Sequence, residues 1–445
     1  MHVAALHEVP WRAPAAALSA FADEPWAVGL VGAGEDARWA YLAREPDRTL
    51  TLAGDDPRDP FEALVELLGP TAAPAGGGPP FQGGVLGLAG YELGDRVERL
   101  GLTRLDDWPD LACARYPAVL AFDQAERRAW AVGRGDSEAQ AAAAARRARA
   151  WLDAPSRPFA ALGARLEPDD PTAYEAAVAE VTERIAAGEI FQANIARRWR
   201  GRLAAGGRPF DLFARLAGDS PAPFAAYLRL ADRAVISNSP ERFVSVEARA
   251  DGLHALTQPI KGTAPRGRTC PEDKALAAAL EGSAKDRAEN LMIVDLMRND
   301  LARVCTPGTV KVPSLFAVET FANVHHLVST VTGGLAPGRS AVDLLRAAFP
   351  PGSITGAPKV QAMRVIAGLE APRGPFFGSI FRLGFDGGLD SSVLIRTAAF
   401  VREADGWRVE ARAGAGIVAD SVPAAERAET EAKISALTAA LAALA

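Results

Sequence analysis

One continuous segment of the sequence begins with a helical pattern and ends with an extended one: Thr172-Ala-Tyr-Glu-Ala-Ala-Val-Ala-Glu-Val-Thr-Glu-Arg-Ile-Ala-Ala-Gly-Glu-Ile-Phe-Gln-Ala-Asn194. Thr172 and Glu175 match a capping box, apolar residues follow at helical spacing, and Gly188 is a natural helix stop. The residues from Ile190 to Asn194 are typical of a strand. The segment therefore predicts a helix that leads directly into a strand.

The same two patterns alternate on both sides of this segment. Helices are predicted at 137–151, 271–281, 286–302, 341–348, 358–368 and 424–443. Strands are predicted at 26–31, 39–42, 83–88, 118–122, 225–230, 234–237, 243–246, 328–331, 393–397 and 407–411. Because the sequence has no repeated strand-helix-strand rhythm and no GxGxxG segment, it indicates an α+β fold with mainly antiparallel sheets.

The composition is that of a globular protein with a large core. The chain has 445 residues, of which 49% are hydrophobic and 23% charged, and its net charge is -6. An acidic chain without a run of basic residues is not expected to bind nucleic acid. Residues 153–171 are rich in proline and turn residues and predict a linker. We therefore expect an N-terminal domain at 1–155 and a catalytic domain at 172–443.

Cysteines and hydropathy bear on the cellular location. Cys113, Cys270 and Cys305 lie far apart and outside any CxxC pair, so neither a disulfide framework nor a zinc site is expected. The first residues lack the basic and apolar stretches of a signal peptide, and no window approaches the roughly 18 apolar residues of a membrane span. We expect a cytoplasmic protein that does not associate with membranes.

Lysine is rare in this chain, which has six lysines among its 49 basic residues. Where only a positive charge is needed, this composition supplies arginine, so a retained lysine indicates a place where an amine that can lose its proton is useful. Lys261 lies in the motif Gln258-Pro-Ile-Lys-Gly-Thr263. It is a candidate nucleophile. The alternative is an ordinary surface lysine in a turn.

Glutamates on two predicted helices are candidate cation ligands. Glu289 has apolar residues at i+3, i+4 and i+7, so its carboxylate shares the face that should pack inward. A buried carboxylate needs a proton, an arginine or a cation. Glu426, Glu429 and Lys433 share one face of the last helix, where they form either an exposed ion pair or, with Glu289, a magnesium site.

Two glycine-containing loops could bind anions. Gly352-Ser-Ile-Thr-Gly-Ala-Pro-Lys359 precedes a predicted helix, and Gly414-Ala-Gly416 precedes the last one. Free N–H groups at a helix start attract anions. Neither loop matches a P-loop, so carboxylates are the expected ligands, with Arg396 as a further donor. The alternative is that these glycines serve only the backbone.

Several motifs together resemble the chorismate-utilising enzymes. They include Ser-Pro-Glu-Arg-Phe, Pro-Ile-Lys-Gly-Thr, Val-His-His-Leu-Val-Ser and Ile-Arg-Thr, and they occupy residues 239–243, 259–263, 288–300, 324–329, 353–359, 395–397 and 414–421. Their order and spacing cover about residues 172 to 443, and residues 81–87 and 91–94 resemble the family's N-terminal region. The resemblance implies antiparallel β-sheets packed as a sandwich with helices on the outside.

The residue after Pro-Ile separates branches of that family. Large subunits of anthranilate synthases usually carry alanine there, whereas the branch that aminates chorismate at C4 carries lysine, as Lys261 does here. The resemblance implies conversion of chorismate and ammonia to 4-amino-4-deoxychorismate, through a lysine adduct at C2, in p-aminobenzoate and folate synthesis. Anthranilate synthesis, isochorismate synthesis and a non-catalytic chorismate-binding homologue are the alternatives.

The resemblance also implies a partner. The sequence contains no G-x-S-x-G or G-x-C-x-G elbow for acyl chemistry, so ammonia from glutamine would have to be released by another chain. In the family that chain is a glutamine amidotransferase subunit. We therefore expect a heterodimer.

Carried over to this sequence, the family's site has three parts. Lys261 would be the nucleophile and Glu241 the general acid and base, while Glu289 and Glu429 would hold Mg²⁺. The substrate-binding residues would be His326, Ser353, Arg396, Gly414, Gly416 and Lys433. Two places depart from the family pattern, Phe376 and the pair Phe381-Arg382.

Overall fold

The computed structural model describes residues 3–34, 37–72, 76–204, 206–321 and 324–443. The helices are α1 Pro14–Leu18, α2 Pro60–Leu68, α3 Asp95–Glu98, α4 Glu138–Ala150, α5 Pro171–Ala186, α6 Pro209–Asp219, α7 Cys270–Glu281, α8 Ala284–Ala302, α9 Ala341–Ala348, α10 Lys359–Leu369 and α11 Pro423–Ala442. The strands are β1 Val3–Val9, β2 Val28–Leu30, β3 Trp39–Ala43, β4 Arg48–Leu52, β5 Gly84–Ala89, β6 Leu111–Tyr116, β7 Ala118–Asp123, β8 Arg128–Gly135, β9 Leu166–Pro168, β10 Gln192–Arg202, β11 Phe224–Arg229, β12 Arg233–Ser239, β13 Arg242–Arg249, β14 Gly252–Thr257, β15 Ile260–Pro265, β16 Lys311–Thr320, β17 Val324–Gly334, β18 Gly356–Ala357, β19 Ser379–Gly384, β20 Leu389–Val393, β21 Thr397–Glu403 and β22 Gly406–Ile417.

Within these ranges the strands form two antiparallel sheets. The first has 12 strands, in the order β1-β8-β7-β3-β2-β11-β12-β21-β22-β10-β18, with β9 beside β10. The second has 10 strands, in the order β15-β17-β14-β13-β20-β19-β5-β6-β4, with β16 beside β17. The predicted α+β fold with antiparallel sheets is confirmed.

Apolar side chains from both sheets form one shared core. Tyr41 and Leu228 from the first sheet and Leu86 and Ile380 from the second belong to it. A second cluster covers the outer face of the first sheet with residues of α1, α4, α6 and α11, such as Phe213. Each large side chain buried in this way contributes about 1.5–3 kcal/mol. The sheets therefore pack as a sandwich with helices outside it, and no described helix is long and apolar enough to cross a membrane.

The helix of the opening segment starts differently from the prediction. Its N-cap is Asp170, whose carboxylate accepts the Thr172 N–H at 2.9 Å, with Pro171 in the first turn. The predicted capping box is wrong, because Glu175 instead pairs with Arg427 of α11 at 2.7 Å. Gly188 adopts a φ of 79° just after α5, and the following strand β10 is confirmed.

The alanine-rich helix α4, predicted at 137–151, lies on the outside of the first sheet and buries one face. Its residues Ala141, Ala144, Ala145 and Ala148 are buried. The helix packs closely on β8, where a Cβ added to Gly133 would lie 2.1 Å from the Ala141 carbonyl oxygen. An alanine face buries little area, but it lets a helix approach a glycine-containing strand closely. This close packing could not be predicted from the apolar pattern alone.

The two predicted domains contribute strands to the same sheets. β2 pairs with β11 in the first sheet, and β5 pairs with β19 in the second. The predicted linker contains β9, which pairs with β10, and the buried residues Leu162 and Ala164. The division into 1–155 and 172–443 remains a prediction, and residues 1 and 2 lie outside the described ranges.

A buried arginine connects the parts of the chain that meet at the site. Arg373 is 1% exposed and donates to the carbonyl oxygens of Ile354 at 3.0 Å and Asn194 at 2.7 Å. Its guanidinium also pairs with Glu370 at 2.9 Å. The carboxylate of Glu92 accepts the backbone N–H groups of Arg373 and the next residue at 2.6 and 2.8 Å. The N-terminal third is thereby tied to β10 and to the loop after α9.

Replacing this arginine should destabilise the protein strongly. Arg373→Met removes the cation that pairs with the Glu370 carboxylate and the donor to two buried carbonyl groups, so we expect the free energy of unfolding to fall by about 3–5 kcal/mol. Urea denaturation measures this change. The control is Arg128→Met, which removes an exposed ion pair with Glu8 and should cost at most about 1 kcal/mol. Equal losses in the two variants would contradict the assigned role.

Candidate active site

The candidate site lies beside two segments in which the chain crosses from one sheet to the other. β12 of the first sheet leads into β13 of the second through Glu241, and β20 of the second leads into β21 of the first through residues 394–396. The predicted continuous strand at 393–397 is therefore wrong, since Arg396 adopts a φ of 50° in this passage. Backbone hydrogen bonds of 3.1 Å join Val393 to Glu241 and Asn238 to Arg396. The two crossovers therefore lie side by side.

Lys261 lies on β15 at an irregularity of the sheet. The pairing of β15 with β17 shifts register between Ile260 and Thr263, and Gly262 has a φ of 92°. The lysine side chain reaches β22, because a Cβ added to Gly416 would lie 2.8 Å from Lys261 Nζ. Lys261 is therefore directed into the space between the sheets rather than along the surface.

Burial makes the Lys261 amine easier to deprotonate. Loss of hydration lowers the pKa of the amine from its ordinary value. The Glu289 carboxylate opposes this shift, and the Lys433 ammonium adds to it. A lysine in this environment is neutral in a larger fraction of molecules than an exposed one, which is the form that acts as a nucleophile.

Glu241 has an environment suited to proton transfer. It is 5% exposed, and burial raises the pKa of its carboxyl group to about 7. The Ser353 hydroxyl and the cationic groups of Lys261, Lys433 and Arg396 oppose this shift by favouring the carboxylate. Near neutral pH both forms are populated, so the group can donate a proton and take one back.

The two glutamates predicted to bind a cation lie on α8 and α11. Burial raises the pKa of Glu289, with Lys261 opposing the shift and the Glu429 carboxylate contributing to it. Burial also disfavours the charge of Glu429, but the ammonium groups of Lys433 and Lys261 lower the pKa of Glu429 overall. Lys433 Nζ lies 2.5 Å from Glu429 Oε1. The two carboxylates are therefore close enough for the charge of Glu429 to affect the pKa of Glu289, and both interact with Lys261.

The chemistry of this pair fits a magnesium ion. No group of three or more His, Cys, Asp or Glu side chains that could hold a metal occurs in the part of the chain that the structure describes. A cation would therefore rely on Glu289 and Glu429 together with water and substrate oxygens. Mg²⁺ commonly binds in this way, because it dehydrates reluctantly and keeps several waters.

Arg396 is available for an anionic ligand. Its guanidinium takes part in none of the hydrogen bonds and ion pairs found among the described residues. Burial lowers the pKa of the guanidinium, with Glu241 opposing the shift, but an arginine remains charged. A cavity of about 530 Å³ opens beside Arg396 and His326. A half-buried, unpaired cation facing a cavity is suited to binding a carboxylate.

His326 lies beside this arginine as a neutral ring. It is 2% exposed, and its Nδ1 lies 2.8 Å from the hydroxyl of Thr263. Burial lowers the pKa of His326 to about 4, and the Arg396 charge adds to the shift. His326 therefore presents an uncharged face to the cavity at neutral pH.

The two glycine-containing loops reach the site in different ways. Lys433 Nζ donates to the Gly414 carbonyl at 2.9 Å, and Gly416 lies under the Lys261 amine. Ser353 is 6% exposed and interacts with Glu241. Lys359, at the end of its loop, has a structural role instead, because it donates at 2.6 Å to both Asp300 and the Ala348 carbonyl. The structure thus groups the predicted site residues around Lys261, Glu241 and Arg396.

Two carboxamides at the site were not predicted from the sequence. Gln192 and Asn194 were assigned only to a strand, but their side chains approach Gly416 and Gly414. Their alternation with the apolar Ala193 and Ile195, which pack toward α5 and α10, was the available signal.

The two departures from the family pattern are both buried. Phe376 is 1% exposed and lies under the Arg412 guanidinium, with 5.2 Å between the guanidinium carbon and the ring centre. Phe381 is also 1% exposed, and Arg382 pairs with Asp390 at 3.2 Å. Both phenylalanines are therefore core residues, and the charge of Arg382 is paired.

Comparisons with known proteins show the family to which this chain belongs. The family model for chorismate binding enzymes matches residues 30–439. Aminodeoxychorismate synthase component 1 from Salmonella typhimurium is 40% identical, with 96% of each chain covered. Anthranilate synthase component 1 from Streptomyces coelicolor is also 40% identical, covering 89% of this chain and 79% of that protein.

Solved structures show the same fold. Anthranilate synthase component I from Streptococcus pneumoniae matches with a TM-score of 0.79 at 30% identity, covering 91% of this chain and 93% of that one. The menaquinone-specific isochorismate synthase from Escherichia coli matches with a TM-score of 0.73 at 18% identity, covering 99% and 95%. The chain therefore belongs to the chorismate binding enzymes, the family that its motifs resemble.

Proposed function

We propose that this chain acts as component I of an aminodeoxychorismate synthase, converting chorismate and ammonia to 4-amino-4-deoxychorismate. Relatives with that name and relatives named anthranilate synthase are equally identical, at 40%, so identity does not choose between them. The observation that carries the proposal is the Lys261 amine, which has a lowered pKa and lies over Gly416. Anthranilate formation is the second candidate, but it gives this amine no task.

In the first step, neutral Lys261 attacks C2 of the ring. The C1=C2 and C5=C6 double bonds shift to C1=C6 and C4=C5, and the C4–O bond breaks. Protonated Glu241 supplies the proton with which the hydroxyl leaves as water. The result is a covalent lysine adduct, with Glu241 left as a carboxylate.

In the second step, ammonia attacks C4 of the adduct. The double bonds return to C1=C2 and C5=C6, and the bond between C2 and Lys261 breaks, which releases the neutral amine. The new C4 ammonium gives its surplus proton to the Glu241 carboxylate. Both residues are then ready for another turnover, and the net change is replacement of hydroxyl by amine with loss of water.

The remaining residues would hold and orient the substrate. Arg396, Ser353, Lys433 and the backbone of Gly414 and Gly416 would bind its carboxylates, with His326 packed against it as a neutral ring. Mg²⁺ held by Glu289 and Glu429 would withdraw electron density through the ring carboxylate.

A second chain would supply the ammonia. The name of these relatives, component 1, implies another component, and the sequence offers no G-x-S-x-G or G-x-C-x-G elbow for releasing ammonia from glutamine. We propose a glutamine amidotransferase as this partner. The pair would work in the cytoplasm, in the synthesis of p-aminobenzoate and folate.

Product analysis tests the proposed reaction. With chorismate, Mg²⁺ and ammonium, mass spectrometry should find aminodeoxychorismate as the main product. Lys261→Ala should abolish or divert it, because the C2 adduct can no longer form. The control Lys311→Ala changes an exposed lysine of β16 and should have no effect. Anthranilate with pyruvate, or isochorismate, as the main product would contradict the proposal, and an unchanged Lys261→Ala would exclude lysine catalysis.

The acid role of Glu241 predicts a pH dependence. The wild-type kcat/KM for chorismate should fall toward alkaline pH, as Glu241 with its pKa of about 7 loses its proton, and also toward acid pH, as Lys261 gains one. Glu241→Gln keeps the size but cannot donate a proton, so kcat should fall by about 10²–10⁴-fold and the alkaline limb should disappear. The control Glu247→Gln changes an exposed glutamate. A full-rate Glu241→Gln variant would remove this residue from the mechanism.

The cation role of Glu289 and Glu429 can be measured without turnover. Glu289→Gln and Glu429→Gln should each weaken Mg²⁺ binding by more than about tenfold, because each removes a charged ligand. Isothermal titration with Mg²⁺ in the presence of chorismate gives the affinities. Glu281→Gln, on the neighbouring helix α7 and exposed, is the matched control. Unchanged affinity in both variants would place the ion elsewhere.

A further inference from the structure

Two buried carboxamides at the site have unused hydrogen-bonding atoms. Gln192 is fully buried and Asn194 is 5% exposed. Gln192 Oε1, Gln192 Nε2 and Asn194 Oδ1 have no partner among the described residues. Leaving such groups unpaired in a protein interior is costly, and natural structures contain few of them. These atoms are therefore candidates for contacts with a small polar ligand.

The carboxamides face the reacting lysine. Gln192 and Asn194 share one face of β10, and Asn194 lies opposite Gly416 on β22. A Cβ added to Gly416 would lie 2.8 Å from Gln192 Nε2 and 2.8 Å from Lys261 Nζ. A Cβ added to Gly414 would lie 2.4 Å from Asn194 Oδ1. The absence of side chains at these two glycines makes the room that the carboxamides and the amine occupy.

The backbone under the carboxamides is fixed. The Asn194 N–H donates to the Thr355 carbonyl at 2.9 Å, and the Asn194 carbonyl accepts from Arg373 at 2.7 Å. Gln192 pairs with Ala357 of β18. A binding site built on such a strand is held in place before its ligand arrives, which reduces the entropy lost on binding.

We propose that Gln192 and Asn194 bind ammonia, the second substrate of the proposed function, on which this inference rests. Ammonia has three N–H donors and one lone pair. The side-chain carbonyl oxygens of Gln192 and Asn194 accept two of the N–H groups, which leaves the lone pair to form the bond to C4. As that bond forms, the bond between C2 and Lys261 breaks, and the surplus proton passes to Glu241.

The chemistry of the carboxamides favours ammonia over the other ligands of the site. Two of the three unpaired atoms are acceptors, which repel the carboxylates of chorismate, whereas Arg396 and Lys433 attract them. A carboxamide is also neutral. A carboxylate in its place would stabilise ammonium, which has no lone pair, and so would remove the nucleophile.

Kinetics with ammonium as the varied substrate test the ammonia site. At saturating chorismate, Gln192→Met and Asn194→Leu should each raise the KM for ammonium by about tenfold, the effect of one lost hydrogen bond, with the KM for chorismate changed by less than about twofold. The control Gln361→Met removes a half-buried glutamine of α10 that donates to Glu189, and it should change neither value. An unchanged KM for ammonium, or a larger rise in the KM for chorismate, would overturn the proposal.

A single-turnover experiment separates this proposal from the proposed function. Chorismate without ammonia should give the Lys261 adduct, seen by intact-protein mass, in the wild type and in both variants. The isosteric Asn194→Asp should also form the adduct, but ammonium should release it more slowly, since the new carboxylate holds ammonium. A wild type without adduct would refute the lysine mechanism, whereas normal release from the Asn194→Asp adduct would refute the ammonia site alone.

Discussion

The buried guanidinium of Arg373 is the interaction on which the arrangement of the site depends. It bonds the carbonyl oxygens of Asn194 on β10 and of Ile354 beside Ser353, while Glu92 holds the backbone at Arg373 itself. A guanidinium with several fixed donors can join segments that are distant in sequence, because each N–H points in a defined direction. The carboxamide strand, the loop of Ser353 and the N-terminal third are therefore positioned together.

Positively and negatively charged groups surround the space between Lys261 and Glu241. Together with burial, they shift the pKa values of these two groups in opposite directions. Burial disfavours every charge there, so the pKa of Glu241 is raised while the pKa of Lys261 is lowered. Glu429 keeps its charge because the lysine ammonium groups outweigh its burial. One enclosed space can thus contain a carboxyl group that carries its proton and an amine that gives its proton up.

The sequence predicted the elements with strong periodicity, such as the last helix and the strand at 407–411. It failed where tertiary contacts decide: the alanine face of α4 is buried because Gly133 permits close approach, and residues 394–396 bend because the chain changes sheets there. At the site, Lys261 and Glu289 were recognisable from their motif and helix face. Gln192 and Asn194 were not, since only the folded structure shows that their amides lack partners.

The position of the N-terminal strands limits how small this protein can be. β2 and β5 complete the sheets beside β11 and β19, and the shared core draws side chains from both parts of the chain. A shorter chain beginning at residue 172 would present β11 and β19 as open edges, which invite association with other molecules. The N-terminal strands are therefore needed to cover these two strands, although the reacting groups themselves come from later residues.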